Sequence, residues 1–145
     1  MSAMAAQPRE SMSVVSIRVH DYAQTDRGHL QQAAREVSCI YEHIGVRLDW
    51  REPGGRVAFV FGGRARDLAL IGEVSQCTVL AGVMAHGRAR LLNPRGTHSS
   101  DGVMRAHWPP SEFKHVNWQR FSDEEGSSVR QTVRALGGGP MRVAD

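Results

Sequence analysis

The spacing of apolar residues changes twice between Val15 and Trp50, and this feature constrains the fold more than any other in the chain. Val15, Ile17 and Val19 alternate with Ser16, Arg18 and His20, the two-residue period of a half-buried strand. Leu30, Ala33, Ala34, Val37, Ile40, Tyr41 and Ile44 then recur at three- and four-residue steps, which predicts an amphipathic helix. Thr25 or Asp26 can cap its start, and Gly45 stands where a left-handed C-terminal cap falls. Val46, Leu48 and Trp50 return to alternation, and Pro53-Gly54-Gly55 makes a turn. The continuous apolar run Val57 to Phe61 fits a central strand. An opening of strand, helix, strand, strand calls for an α+β fold with a small mixed sheet.

The later segments are read in the same way. Gly62-Gly63 ends the third strand, Arg64-Ala65-Arg66 is expected on the surface, and Leu68 to Ile71 is too short to classify. A second helix is predicted over 79–92, with Val79, Val83, His86 and Arg90 sharing one face. Asn93-Pro94-Arg95-Gly96 stops it, and a loop runs on through Trp108-Pro109-Pro110. Ser122-Asp123-Glu124-Glu125 is a capping box that opens a C-terminal helix with the stripe Val129, Val133 and Leu136. The chain of 145 residues suits one domain, over 14–136, with flexible tails at 1–13 and 137–145.

The stretch that bears on chemistry is Met84-Ala85-His86-Gly87-Arg88-Ala89-Arg90-Leu91-Leu92, followed by His98-Ser99 and by Gly102-Val103-Met104-Arg105-Ala106-His107-Trp108. It resembles a family of small bacterial zinc-metallopeptidase-like proteins. In that family the segment reads Ala-His-Glu-x-Gly-His-Leu-Leu, then His-Ser, then Gly-Ile-Met-Arg-Ala-x-Trp. The resemblance reaches the strand–helix–strand opening and the C-terminal helix, while the part between Phe61 and Val79 looks shortened. It implies a zincin-like active-site helix. In the intact motif two histidines four residues apart bind one Zn²⁺ from a single helix face, and the glutamate between them serves as general base. A third ligand comes from the next loop, and a methionine turn floors the site. Carried over by position, His86 matches the first ligand, His98 the third, and Met104 the methionine of the turn.

Two positions depart from the pattern. Gly87 stands in place of the glutamate, so no general base is available there. Arg90 stands in place of the second histidine, and a guanidinium has no lone pair to give a metal. Gly87 also costs a helix interior about 1 kcal/mol relative to alanine. His107, Asp101 and Ser99 lie in the loop from which a rescuing ligand would have to come. Arg90 is expected to find a carboxylate such as Asp101 or to snorkel to solvent.

The resulting expectation is a metallopeptidase-like protein without catalytic competence, a pseudoenzyme or a decaying copy. No cofactor is expected, or zinc if any site survives. The alternative is a small zinc hydrolase with a rearranged metal site. A further alternative, a basic nucleic-acid-binding module, starts from the charge. Lysine and arginine number 18 against 15 acidic residues, a net +3, and all the basic residues but Lys114 are arginine. Arg64, Arg66, Arg88, Arg90 and Arg95 could form a patch, yet aromatics do not interleave with them. Cys39 is expected to pack in the core, Trp108 and Trp118 to seal its edge, and His20, His29, His43 and His115 to be solvated. No membrane span is expected, and Met1 to Ser13 lacks an apolar signal-peptide core. That gives a cytoplasmic location by default, although the relatives implied by the resemblance look exported.

Overall fold

Strands β1 (Ser13–Ile17) and β2 (Val46–Trp50) lie side by side and run parallel, with Ser13 opposite Val46 and Ile17 opposite Trp50. Parallel neighbours need a crossover of a dozen residues or more, and helix α1 (Arg27–Glu42) supplies it. The computed structural model describes residues 12–17, 19, 24–50, 62–92, 98–115 and 118–137. After β2 come α2 (Gly62–Gly72), α3 (Gln76–Leu92), two short 3-10 turns at Gly102–Met104 and Pro110–Lys114, and α4 (Asp123–Gly137). The fold is α+β.

The local signals act as chemistry requires. Asp26 caps α1 by accepting from the His29 amide at 3.1 Å. Gly45 adopts φ +73° and turns the chain into β2. At the start of α4 the Ser122 hydroxyl accepts from the Glu125 amide at 3.2 Å, and Glu125 Oε2 accepts from the Ser122 amide at 2.8 Å. Both arms of the capping box are made.

Helix α3 is the centre of the molecule, packed against α1, α2, α4 and the first 3-10 turn. It is therefore apolar almost all round rather than on one stripe. Val79, Ala81, Ala85 and Ala89 are fully buried, and their small side chains let α1 come close. At that contact the buried Tyr41 hydroxyl donates to the Ala85 carbonyl at 3.0 Å. Trp118 also packs on α3, its ring lying over Gly82 where any Cβ would collide with it. Trp108 meets Trp118 edge-on with centroids 5.3 Å apart, so the two indoles seal a core edge.

Several expectations need correction. Residues 62–72 form helix α2, not the end of a strand; Arg64 and Arg66 are exposed as expected, while Ala65 and Ala69 pack into the core. The segment reads as punctuation because its apolar residues are few, but two buried alanines are enough to seat a helix on α3. Val19 lies past the end of β1 and is exposed. Cys39 is also exposed, because it falls between the buried positions Val37 and Ile40. The sheet among the described residues is a parallel pair, not a mixed sheet. The expected strand Val57–Phe61 lies outside the described residues, as do His20, Arg95 and both tails apart from Met12, Ser13 and Gly137. Ser13, assigned to the N-terminal tail by sequence, already belongs to β1.

Candidate functional site

His86 projects from α3 toward the turn at Gly102–Met104 and is half-buried. Its Nδ1 lies 2.8 Å from the Val103 carbonyl, and because a carbonyl only accepts, that nitrogen carries the proton. Burial holds the imidazole below its ordinary pKa, with lesser contributions from His98 and Arg90, while the bond to Val103 opposes the shift. The indole of Trp108 meets the ring edge-on at 5.5 Å. Its Nε1 donates to the Gly102 carbonyl at 3.1 Å, which locks the indole to the same turn.

The turn has its own requirements. Gly102 takes φ +67°, and a Cβ there would run into the Arg120 carbonyl. Glycine is the residue that fits such a position. The Val103 amide donates to that same Arg120 carbonyl at 2.9 Å. Val103 and Met104 of this turn are buried in the core.

His98 follows on the outer side of the turn. Its ring stacks on His86 with centroids 5.4 Å apart and planes 21° from parallel. The two imidazoles that match ligand positions are thus brought together. Arg90 joins them, with Nη1 2.7 Å from His98 Nε2. A guanidinium can only donate, so His98 accepts through its unprotonated nitrogen. The lone pair that a metal would need is already engaged.

The other candidate residues stay outside this cluster. Asp101 is exposed, its Oδ2 accepting from the Ser100 hydroxyl at 3.2 Å, and among the described residues no carboxylate forms an ion pair with Arg90. The proposed pairing of Arg90 with Asp101 is therefore replaced by the contact with His98. The second expectation for Arg90, that it snorkels, holds: the residue is exposed at the end of α3. His107 is exposed, and the Ser99 hydroxyl donates to the Asp101 carbonyl at 2.6 Å. No group of three or more His, Cys, Asp or Glu side chains among the described residues is placed to hold one metal ion. Gly87 brings no side chain to the site.

These residues do not fit a zinc ion of the motif's kind. Two imidazoles remain, one committed to a cation, and a permanent positive charge stands where the third should be. The sequence did not foresee the Arg90–His98 contact or the edge of Trp108 against His86. A hint of the first was that a donor-only side chain had replaced one ligand within reach of another. No protein-family model, curated protein or solved structure matches the chain at a significant level.

Of the arginines that could form a basic patch, Arg90 is exposed at the end of α3 and Arg95 lies outside the described residues. Arg88 donates to the Ser16 carbonyl at 3.1 Å and so ties α3 to β1, whereas Arg64 and Arg66 are exposed on α2.

Proposed function

We propose that the chain is a degenerate zinc-metallopeptidase-like protein that no longer hydrolyses peptides. The observation that carries this reading is the 2.7 Å contact between Arg90 Nη1 and His98 Nε2. Zinc would have to displace a guanidinium from the nitrogen it needs and then bind beside that same positive charge. Even a bound ion would lack a base, because Gly87 supplies no carboxylate to take the proton from an attacking water. The rest of the apparatus persists in outline: a histidine whose Nδ1 is fixed by a backbone carbonyl, a methionine turn beneath it, and a neighbouring indole. Holding Nδ1–H in this way is how metal-binding histidines are commonly oriented, so the arrangement supports descent from a metal site.

Metal analysis of the purified protein, together with calorimetric zinc titration, tests the reading. Substoichiometric zinc and no titratable site are expected. Stoichiometric zinc removed by a chelator would overturn it in favour of a hydrolase with a rearranged site.

A further inference from the structure

A concave site on the protein includes neither His86 nor His98. It is a cleft of about 670 Å³ between the α1–β2 turn and one face of α4. His43 and Gly45 form one wall, and Ser127, Arg130, Gln131 and Arg134 form the other. Those four positions on α4 follow steps of three, one and three residues, so they line a single helix face.

The charge in this cleft is one-sided. Among the described residues its lining holds two arginines and a histidine and no carboxylate. Arg130 and Arg134 are one helical turn apart, a like-charge spacing that weakens a helix. Among the described residues neither guanidinium has a carboxylate within ion-pair distance. Arg130 is also held in place: its Nη1 donates to the Ile44 carbonyl at 3.2 Å, and its aliphatic stem passes Gly45. The walls are packed closely, since a Cβ on Gly126 would fall 2.7 Å from Ile44 Cγ2. A guanidinium held at Arg130, a second on the adjoining turn, and hydroxyl and amide donors beside them offer a set of donors for an oxyanion.

We infer that this cleft binds the phosphoryl group of a small molecule through Arg130 and Arg134. The volume falls in the range of small-ligand sites. Among the described residues the lining contains no aromatic side chain on which a base could stack, which favours a compact anion over a single-stranded nucleic acid. The inference is independent of the proposed metallopeptidase ancestry, because neither uses the other's residues.

The test is calorimetric titration of the full chain at low salt with inorganic phosphate, pyrophosphate and a single-stranded oligonucleotide. Saturable binding of pyrophosphate, with phosphate weaker, is expected. Arg134→Gln should weaken it by about tenfold, the loss of one charge-assisted hydrogen bond. Arg134 is exposed, so this variant should fold; Arg130→Gln should act in the same direction if it folds. Arg134→Lys should fall between, keeping charge and losing the planar fork. Arg66→Gln, which removes an exposed arginine of α2 outside the lining, should leave binding unchanged. Absence of saturable pyrophosphate binding would overturn the inference. So would equal losses in Arg134→Gln and Arg66→Gln, or an oligonucleotide that binds far more tightly and responds equally to both.

Discussion

Arg90 donates to His98 across the gap between the end of α3 and the turn that follows it, with Nη1 and Nε2 2.7 Å apart. Under the proposed reading, the contact joins a residue that replaces one metal ligand to a residue that matches another. It gives the pair a cohesion that needs no metal, because the guanidinium supplies the positive charge and the imidazole the lone pair. His86 stacks on His98 at 5.4 Å and is anchored separately through Val103. The cluster is therefore held by contacts within the protein, and each part can be altered in turn.

Replacing Arg90 by histidine restores a third imidazole and frees His98 Nε2. Arg90→His, alone or with Gly87→Glu, should bind zinc more tightly than the parent protein. Zinc at about a hundred times its Kd would then raise stability by about 2.7 kcal/mol. Thermal melts with and without zinc read this directly. Gly87→Glu alone should show no zinc-dependent shift, since it adds a base without the missing imidazole. Failure of Arg90→His to respond would mean that the backbone no longer brings positions 86, 90 and 98 to a common point.

His86 gives the fold a pH dependence of known sign. Burial lowers its pKa in the folded state, so below the ordinary histidine range the unfolded chain takes up the proton first. Its stabilising contribution is fully present above about pH 6.5, the ordinary value. That contribution declines as the pH falls toward the lowered folded value. Melting temperatures measured from pH 7.5 down to pH 5 should drop, and His86→Gln should flatten the slope. An unchanged slope in the variant would assign the effect to other groups.

How far the site could be read from sequence depended on the range of each interaction. The Asp26 cap, the Ser122–Glu125 capping box and the left-handed Gly45 are contacts within a few residues, and the letters alone specify them. The i, i+4 relation of His86 and Arg90 is equally local. Helix α2 was missed because its hydrophobic signal is faint: Ala65 and Ala69 are buried, while Leu70 and Ile71 face solvent at 73% and 66% exposure. Only packing against α3 decides which of these residues turns inward. Cys39 was misplaced for the same reason, since one residue's rotation around α1 separates a core position from the surface. Arg90's choice of His98 over Asp101 was decided by the path of the turn beyond α3, which no local pattern encodes.

Gly87 interrupts α3 without supplying a turn or a cap, so alanine should be preferred there. Gly87→Ala is expected to stabilise the protein by about 1 kcal/mol. Urea unfolding would show this as a higher midpoint at constant slope. A destabilised variant would indicate that the space beside His86 is needed for packing, and would argue against relaxed constraint at this position.

Gly102 should behave in the opposite way. Its φ of +67° and the Arg120 carbonyl against its Cα leave no room for a methyl group. Gly102→Ala should cost more than about 1 kcal/mol, beyond the entropic gain that alanine brings to a permissive site. It should also shift the Val103 carbonyl, and with it the ring of His86. The imidazole resonances of His86 in an NMR spectrum would report that displacement separately from the loss of stability. Destabilisation without movement of His86 would show that the ring is held by Trp108 and His98 rather than by the turn.

The Tyr41–Ala85 bond is a buried polar link in the α1–α3 contact, and its energy can be isolated. Burial pushes the Tyr41 phenol far above its ordinary pKa, so the hydroxyl remains a donor while the chain is folded. Tyr41→Phe deletes that donor and keeps the ring, including its edge contact with Phe121 at 5.2 Å. The Ala85 carbonyl retains its place in the helical ladder of α3, so it is not orphaned. A loss of about 1 kcal/mol is expected, the ordinary net value of such a bond. Tyr41→Ala should cost about 3–5 kcal/mol, because it also opens a cavity between the helices. Equal losses in the two variants by urea unfolding would place the contribution of Tyr41 in its hydroxyl. A negligible loss for phenylalanine would place it in the packing of the ring.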